Sequence, residues 1–562
     1  MTTKAIELDN ITYFYPNSKE PVLTNVTLHV DYGEFVVIAG PSGGGKSTLC
    51  RIIAGLIPHL YGGKLSGKVY IDGLDIDVAD VKSIIERVGI VFQNPENQIV
   101  NIVVEEELVF PLENLLYTRN EIKARLEEVV EKLDISHLRN RITYELSGGE
   151  AQRVVLGSAL VVKPKILLLD EPLAHLDPPA VRNLLEFLHN LNKIEGKTIV
   201  VVEHRLSELL KYASRIVILD RRIIFDGHPR EIFNKFDDFD VIYGIEVPTP
   251  TKLSKALGFN HPILSIEEAF DLLKTKNLIT KARTFDEDSK TNNVLNCQDK
   301  GIAISVQRLW HIYDNGVTAL KDVNLDICKG DFVAIVGGNG SGKTTLIKHF
   351  NGLLKPTKGA VYVLGKDTSR HSVAELAKHV GTVLQNPLHY FFRDNVYDEV
   401  MFTAKNMGVR DAEERVNEIL KKLGLLHLAD RSPYEISAGE QRRVAIASVL
   451  VYNPEIIVLD EPTAGIDFKL KLDLSNILVD IWRSGRTIIL TTHDMEFLTY
   501  VPVQKIIALD RGSVIAVGDP RSVFYKYLPE NMAMFTPQLV RLIKGMGVHN
   551  SLKPLNIQEL IS

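Results

Sequence analysis

The sequence predicts an α/β chain made of two tandem copies of one domain, each a parallel sheet flanked by helices. Three observations predict it. A glycine-rich loop occurs twice, GPSGGGKST from Gly40 to Thr48 and GGNGSGKTT from Gly337 to Thr345. Each loop follows an apolar, β-branched run, Phe35–Ala39 or Phe332–Val336, and opens an apolar stretch that reads as a helix. The same short motifs then recur in the same order. Lys46 and Lys343, Gln93 and Gln385, Asp170 and Asp460, and His204 and His493 form pairs whose offset shrinks only from 297 to 289 residues. So long a period is a whole domain and not a solenoid unit.

Composition narrows the class. Hydrophobic residues make up 45% and charged residues 24%, the balance of an ordinary soluble globular protein. A net charge of −6 gives no electrostatic footprint for nucleic acid, and none is expected as a partner. No apolar run approaches the ~18–20 residues that span a bilayer. The opening MTTKAIELDN lacks the basic-then-apolar pattern of a signal peptide. The chain is therefore expected not to enter a membrane by itself. Cys50, Cys297 and Cys328 show no metal-like spacing and are expected to be free thiols in a reducing cytoplasm.

A glycine-rich loop between strand and helix is a P-loop. Its backbone N–H groups converge on phosphate oxygens at the positive end of the helix. The expected phosphate cradles are Gly40, Ser42, Gly43, Gly45, Lys46, Ser47 and Thr48, and Gly337, Asn339, Gly340, Gly342, Lys343, Thr344 and Thr345. The lysines would reach the β- and γ-phosphates of ATP, and Ser47 and Thr344 would hold Mg²⁺. Downstream, KILLLDE and EIIVLDE each read as a buried strand ending in two carboxylates. Asp170 and Asp460 are candidate Mg²⁺ ligands. Glu171 and Glu461, one residue on, are candidates to polarise the attacking water. An apolar run before Asp-Glu is a weak signal alone and gains its weight from the P-loop upstream.

Shortly before each carboxylate strand stands LSGGE (Leu146–Glu150) or ISAGE (Ile436–Glu440). Either one alone is an ordinary helix N-cap. With the P-loops, the constellation resembles the ATP-binding-cassette (ABC) family and its LSGGQ signature, twice over and across almost the whole chain. The resemblance implies two P-loop nucleotide-binding domains, each with a parallel-sheet core, an antiparallel β subdomain, a helical subdomain and a short helical C-terminal tail. It implies two composite ATP sites formed by intramolecular pairing of the cassettes. One joins Lys46 to Ser437 and Gly439, and the other joins Lys343 to Ser147 and Gly149. Gln93 and Gln385 match the Q-loop glutamine that senses Mg²⁺. His204 and His493 match the switch histidine that contacts γ-phosphate, and Asp177 and Asp467 match the D-loop aspartate. Tyr15 and Tyr313 match the aromatic that stacks on adenine, with Tyr13, Phe14 and Trp310 as alternatives. Two departures stand out: Ala438 replaces the first signature glycine, and Ala174 the usual D-loop serine.

NPENQ (Asn94–Gln98) with VEEEL (Val104–Leu108), and NPLHYFF (Asn386–Phe392) with Tyr397-Asp398-Glu399, resemble the ATPases of energy-coupling-factor (ECF) importers. This branch implies an ATPase on the cytoplasmic face of the membrane. Its partners would be an integral membrane subunit like the ECF T-component and a separate substrate-binding membrane protein. The solute would be a vitamin or a transition-metal ion. Three successive aromatics, Tyr390 to Phe392, cannot all face one core, so at least one is expected to be exposed. The expected domains are 1–235 and 301–523, with helical C-terminal extensions at 236–273 and 524–562. Both extensions carry Thr-Pro, then a helix reaching Gly258 or Gly547, then a capping-box helix start at Ser265 or Asn556. Residues 274–300 read as a flexible linker with a typical span of about 30 Å. The alternative is a twin-cassette ATPase acting on ribosomes, but its usual long charged linker or cysteine-rich domain is missing. A DNA-repair ATPase would need long heptad arrays between P-loop and signature, and none is present.

Overall fold

A computed structural model describes residues 4–174, 176–235, 243–259, 261–275, 297, 300–546 and 553–561. Contacts divide the chain into two units. One is Met1–Ser265 with Asp467–Lys469, and the other is Ile266–Ile466 with Leu470–Ser562.

The first unit begins with a four-stranded antiparallel sheet, order β2-β1-β4-β5, made of β1 (Lys4–Phe14), β2 (Leu23–Asp31), β4 (Lys64–Ile71) and β5 (Leu74–Asp75). Its β1 buries Ala5, Ile6 and Leu8 before a bulge at Asn10, whose φ of 55° suits an Asn. The core sheet has six strands in the order β10-β9-β3-β8-β7-β6. These are β3 (Phe35–Ala39), β6 (Val88–Val91), β7 (Ile166–Asp170), β8 (Thr198–Val202), β9 (Arg215–Asp220) and β10 (Arg222–Gly227). All but the β9–β10 pair are parallel. Every residue of FVVIA, ILLLD and TIVVV is buried, as a parallel sheet covered on both faces requires.

Helix α1 (Lys46–Ile53) follows the first P-loop. A helical subdomain comprises α2 (Val104–Asn114), α3 (Arg119–Lys132) and α4 (Gly148–Leu160), and α5 (Pro178–Lys193) returns to the sheet. Thr118 and Glu121 close a capping box on α3. From there Leu126, Val129, Val130 and Leu133, at helical spacing, join Val104, Leu108, Val154 and Val155 in one buried cluster. The unit's tail carries α6 (Thr249–Ala256), with Pro250 in its first turn and Gly258 past its end at φ 71°.

The second unit repeats the plan. Its antiparallel sheet, order β12-β11-β14-β15, holds β11 (Ile302–Ile312), β12 (Thr318–Cys328), β14 (Lys358–Val363) and β15 (Lys366–Asp367). Its core sheet, order β16-β17-β18-β13-β19-β20, holds β13 (Phe332–Val336), β16 (Val380–Val383), β17 (Ile456–Asp460), β18 (Thr487–Thr492), β19 (Lys505–Asp510) and β20 (Ser513–Gly518). Its helices are α8 (Lys343–Phe350), α9 (Val396–Asn406), α10 (Ala412–Lys422), α11 (Ala438–Leu450), α12 (Phe468–Arg483), α13 (Gln538–Gly545) and α14 (Ile557–Ile561). This unit also includes α7 (Ile266–Thr275), whose Phe270 lies against Gly545 of α13. The capping spacing at Asn556 is realised, with the Glu559 N–H donating to Asn556 Oδ1 at 3.0 Å. Gly547 lies outside the described residues. So does the expected linker 274–300, apart from residues 274, 275, 297 and 300.

One expectation is overturned. Cys297 and Cys328, 31 residues apart in sequence, are joined in a disulfide, and only Cys50 is a free thiol. Spacing along the chain could not reveal the pair, because Cys328 ends β12 and residue 297 reaches it through the fold. Burial pushes the Cys50 thiol well above the usual range, so it stays unreactive while the chain is folded. Alkylation of the unreduced chain in denaturant, read by mass spectrometry, should modify one cysteine. Prior reduction should raise the number to all three. Three adducts without reductant would refute the pairing.

Candidate active sites

Both P-loops take the shape their glycines allow. Gly40 and Gly337 sit at φ 147° and 155°, where a Cβ would fall 2.0 Å from Leu219 O and 2.3 Å from Leu509 O. Only glycine fits such an approach. The lysines are buried and folded onto their own loops. Lys46 Nζ donates to Gly40 O (2.9 Å) and Pro41 O (2.7 Å), and Lys343 Nζ to Gly337 O (2.9 Å) and Gly338 O (3.0 Å). Burial pulls the Lys46 pKa down, against the opposing pull of Glu171 and other carboxylates. Within the first unit, the Ser42 N–H donates to Asp467 Oδ2 at 2.8 Å.

The carboxylate pairs end β7 and β17, beside the loops. Asp170 is hydrogen-bonded to Ser47, while its Oδ1 is buried without a hydrogen-bond partner. Burial and the neighbouring Glu171 raise the Asp170 pKa to about 6. Asp460 accepts from the Thr344 hydroxyl at 2.9 Å and from the Thr491 hydroxyl, and burial raises its pKa too. Buried carboxylates of this kind are short of positive charge, and an orphaned Oδ1 beside a hydroxyl suits a hard cation. Glu171 and Glu461 stand at φ 50° and 46°, the left-handed region that non-glycine residues enter only where the surroundings impose it. That turn swings each glutamate off the strand towards the loop.

Around Glu171 the first unit assembles what the sequence listed separately. Gln93 Nε2 donates to its Oε2 at 2.6 Å, and His204 Nε2 lies 3.1 Å from its Oε1. In the second unit His493 Nδ1 is 2.9 Å from Glu461 Oε2, and Lys343 Nζ is 3.9 Å from its Oε1. Burial works to raise the Glu461 pKa, but His493 and Lys343 prevail and hold it at about 2. Gln385, unlike Gln93, is exposed.

The two candidate adenine tyrosines are placed alike. Tyr15 Oη is 3.1 Å from Thr48 Oγ1 and accepts from Arg51 Nη1 at 2.8 Å, and Tyr313 Oη is 3.0 Å from Thr345 Oγ1. Tyr13 is fully buried and donates to Gly62 O, so it is a core residue and not the stacking ring. The signature serines are exposed N-caps in full capping boxes, Ser147 with Glu150 and Ser437 with Glu440. An added Cβ at Gly148 meets nothing within 4 Å. At Gly439, by contrast, it would fall 2.4 Å from Leu470 Cδ1. Asp177 caps α5, accepting the Ala180 N–H at 3.0 Å, and the departure Ala174 is buried.

Sequence reasoning passed over three kinds of residue. Thr491, whose place Val202 takes in the first unit, ties Asp460 to the N–H of Glu461. Buried Glu107 accepts the N–H groups of Val100 (3.0 Å) and Asn101 (2.8 Å), and Glu399 accepts those of Phe392 (2.7 Å) and Arg393 (2.9 Å). Buried Glu203, next to His204, was not singled out at all.

Each unit thus gathers a phosphate loop, two carboxylates and a histidine at the carboxyl ends of a parallel sheet, the layout of a P-loop ATPase. The chain belongs to the ABC transporter family, whose sequence model matches residues 23–174 and 320–464. It is 36% identical over 535 residues to a putative ABC transporter ATP-binding protein of Methanosarcina mazei, covering 93% of this chain and 90% of that one. A relative of the same description from Caldanaerobacter subterraneus subsp. tengcongensis is 34% identical over 574 residues, covering 100% of this chain and 99% of that one. Among solved structures, CbiO1 of Clostridium perfringens, part of the ABC transporter complex CbiONQ, is 36% identical, with a TM-score of 0.37, covering 43% of this chain and 99% of that one. The chain is an ABC ATPase with two cassettes, and it hydrolyses ATP.

Under Tyr313 lies a titratable group that the first unit lacks. His349 occupies the place of Ile52, is fully buried, and packs its ring 4.8 Å from that of His311, which in turn meets Tyr313 at 4.6 Å. Burial, opposed by the bond to Thr345 O and helped by His311, lowers its pKa from 6.5 to about 4. Between those values the unfolded chain binds more protons. The stabilising contribution is therefore full above pH 6.5 and is lost as pH falls towards 4, by roughly 3 kcal/mol. His349→Ile should shrink the drop in urea-unfolding free energy between about pH 7 and about pH 4.5 by that order. An unchanged drop would refute the assignment.

Proposed function

We propose that this chain is the energy-coupling subunit of an ECF-type importer for a vitamin or a transition-metal ion, binding and hydrolysing MgATP at two composite sites. The observation that carries the membrane role is the pair of buried carboxylates behind the Q-loops. Glu107 pins the backbone of residues 100–101 and Glu399 that of residues 392–393. The pinned segments expose apolar side chains, Val100 (70%) and Ile102 (63%) in one unit and Phe392 (70%) in the other. Tyr144 and Tyr434 add exposed rings beside them, held by the Thr143 N–H to Ile102 O bond and the Tyr434 Oη to Phe391 O bond. Anchoring exposed apolar groups with buried charge suits a dock for a membrane subunit's cytoplasmic helix. Among the described residues no helix is long and apolar enough to cross a membrane, so the spanning part would belong to partners. The twin-cassette relatives are named as transporter proteins and give the ribosome alternative no support.

In each site the P-loop would hold the phosphates and Tyr15 or Tyr313 the adenine. The signature serine would come from the other half, Ser437 over Lys46 and Ser147 over Lys343. Mg²⁺, held by Ser47, Gln93 and Asp170 or by Thr344, Gln385 and Asp460, would neutralise charge on the β- and γ-phosphates. Glu171 and Glu461 would orient the attacking water, with His204 and His493 facing the γ-phosphate. ATP would then join the cassettes, and hydrolysis would part them. Selectivity for the solute would lie in the separate substrate-binding membrane protein.

Two experiments test this. Glu171→Gln and Glu461→Gln should each cut the steady ATPase rate, and the double variant should lose it at least 100-fold, in line with loss of a general base. Full activity in either single variant would refute two working sites. Val100→Glu with Phe392→Glu should release the chain from its membrane component in high-salt fractionation, with the thermal midpoint of the isolated chain unchanged. Sedimentation of the native chain with ribosomes would overturn the importer reading.

A further inference from the structure

The two ATPase centres are built from one plan, yet a carboxylate in the first has no counterpart in the second. Glu203 is 2% exposed and directly precedes His204. At the matching place the second half has Thr492, whose hydroxyl accepts the Asp494 N–H at 2.9 Å. Glu203 works differently. Its Oε2 accepts the N–H of Leu173 at 3.3 Å, and its Oε1 accepts those of His204 (3.1 Å) and Arg205 (3.2 Å). Arg205 completes the hold by donating from Nη1 to Leu173 O at 3.2 Å. Both backbone groups of Leu173 are thus fixed by the two residues that flank His204.

Leu173 is the second residue after Glu171. Its peptide belongs to the turn that leaves the sheet at the left-handed Glu171. The Glu203–Arg205 pair therefore joins two chain segments that have to keep register for Glu171 and His204 to stand 3.1 Å apart. The second half carries different charges at these places. Buried Lys471 of α12 pairs with Asp494 at 2.6 Å, where the first half has Val181 and Arg205. The compensation is charge for charge. The first half has an anion before the histidine and a cation after it. The second has a hydroxyl before, an anion after, and its cation on the neighbouring helix.

We propose that Glu203 is a positioning residue of the first ATPase centre, fixing the Glu171 turn against His204, and that this makes the two centres mechanically distinct. The inference rests on the reading of Glu171 and His204 given above. Burying a carboxylate is costly and is tolerated only where it is fully hydrogen-bonded. Small displacements of a catalytic pair are expensive in rate, on the order of 100-fold for about 1 Å.

The test uses the full chain with its second centre silenced by Glu461→Gln, and follows single-turnover hydrolysis of ATP. Glu203→Ala should slow the hydrolytic step by about tenfold or more and leave the ATP concentration for half-saturation within about twofold. Glu203→Gln, of equal size but with an NH2 in place of one accepting oxygen, can hold only one of the two segments and should recover only part of the rate. Thr492→Ala, made instead with the first centre silenced by Glu171→Gln, should cost much less. A rate in Glu203→Ala equal to that of its background would overturn the proposal. So would a loss that nucleotide affinity shares in full, or a Glu203→Gln chain as fast as its background. Should the Glu171→Gln, Glu461→Gln chain still hydrolyse ATP, the site reading itself fails, which is a different result from a silent Glu203.

Discussion

The burial of adjacent carboxylates at the ends of β7 and β17 constrains most of what surrounds them. Two acids side by side in a dry place repel each other and lose solvation together. Every neighbour can be read as an answer to that cost. Ser47, Thr344 and Thr491 give hydroxyl donors to the aspartates. The P-loop lysines bring positive charge, and Gln93, His204 and His493 attend the glutamates. The answer is incomplete on purpose. Asp170 Oδ1 is left unpartnered, and the lysines rest on their own loop carbonyls, which phosphate oxygens are well suited to replace. A site that rests its ammonium on loop carbonyls is suited to receive the phosphates of ATP.

Duplication fixed the scaffold and left the balance of charge free to drift. The sheets, strand orders and signature capping boxes are nearly superposable in description, because they answer to backbone geometry. Charged groups answer only to local neutrality, and the two halves reach it differently. Glu171 is held by a glutamine and a histidine. Glu461 is held by a histidine and a lysine, and its pKa is driven to about 2. Glu203 and Arg205 hold the Leu173 backbone in one half, while Lys471 pairs with Asp494 in the other. An altered group in one half has a changed partner nearby, as expected when single changes in a buried network are costly and paired ones are not.

The fold and the contents of the site were legible because they follow from local rules. Glycines at forced φ, apolar runs ending in acid, and Ser-x-x-Glu boxes declare their structure within a few residues. The approach of Gln93 and His204 to Glu171 was legible only through family resemblance, since those residues lie 78 and 33 positions away. What stayed hidden was work done by buried charge on distant backbone. Glu107 and Glu399 look like helix-surface acids, yet each turns inward to hold a loop. Cys297 and Cys328 looked like stray thiols because the pairing is tertiary. Of the three aromatics at 390–392, Phe391 packs inward and Phe392 outward, as alternation demanded.

The inward-turned glutamates also connect the two functions of each half. Gln93 touches Glu171 from the near end of the Q-loop, and a few residues on, the backbone at 100–101 hangs on Glu107 of α2. A segment fastened at both ends to rigid parts, one catalytic and one helical, cannot yield at one end without strain at the other. Gain or loss of a charge partner at Glu171 would pull on Gln93, and the pull would reach the exposed Val100 and Ile102 directly. The second half has the outer fastening, through Glu399, but its Gln385 is exposed and not drawn onto Glu461. On the proposed reading, transmission from catalysis to the apolar dock would be mechanically more direct in the first half, the half that also carries Glu203.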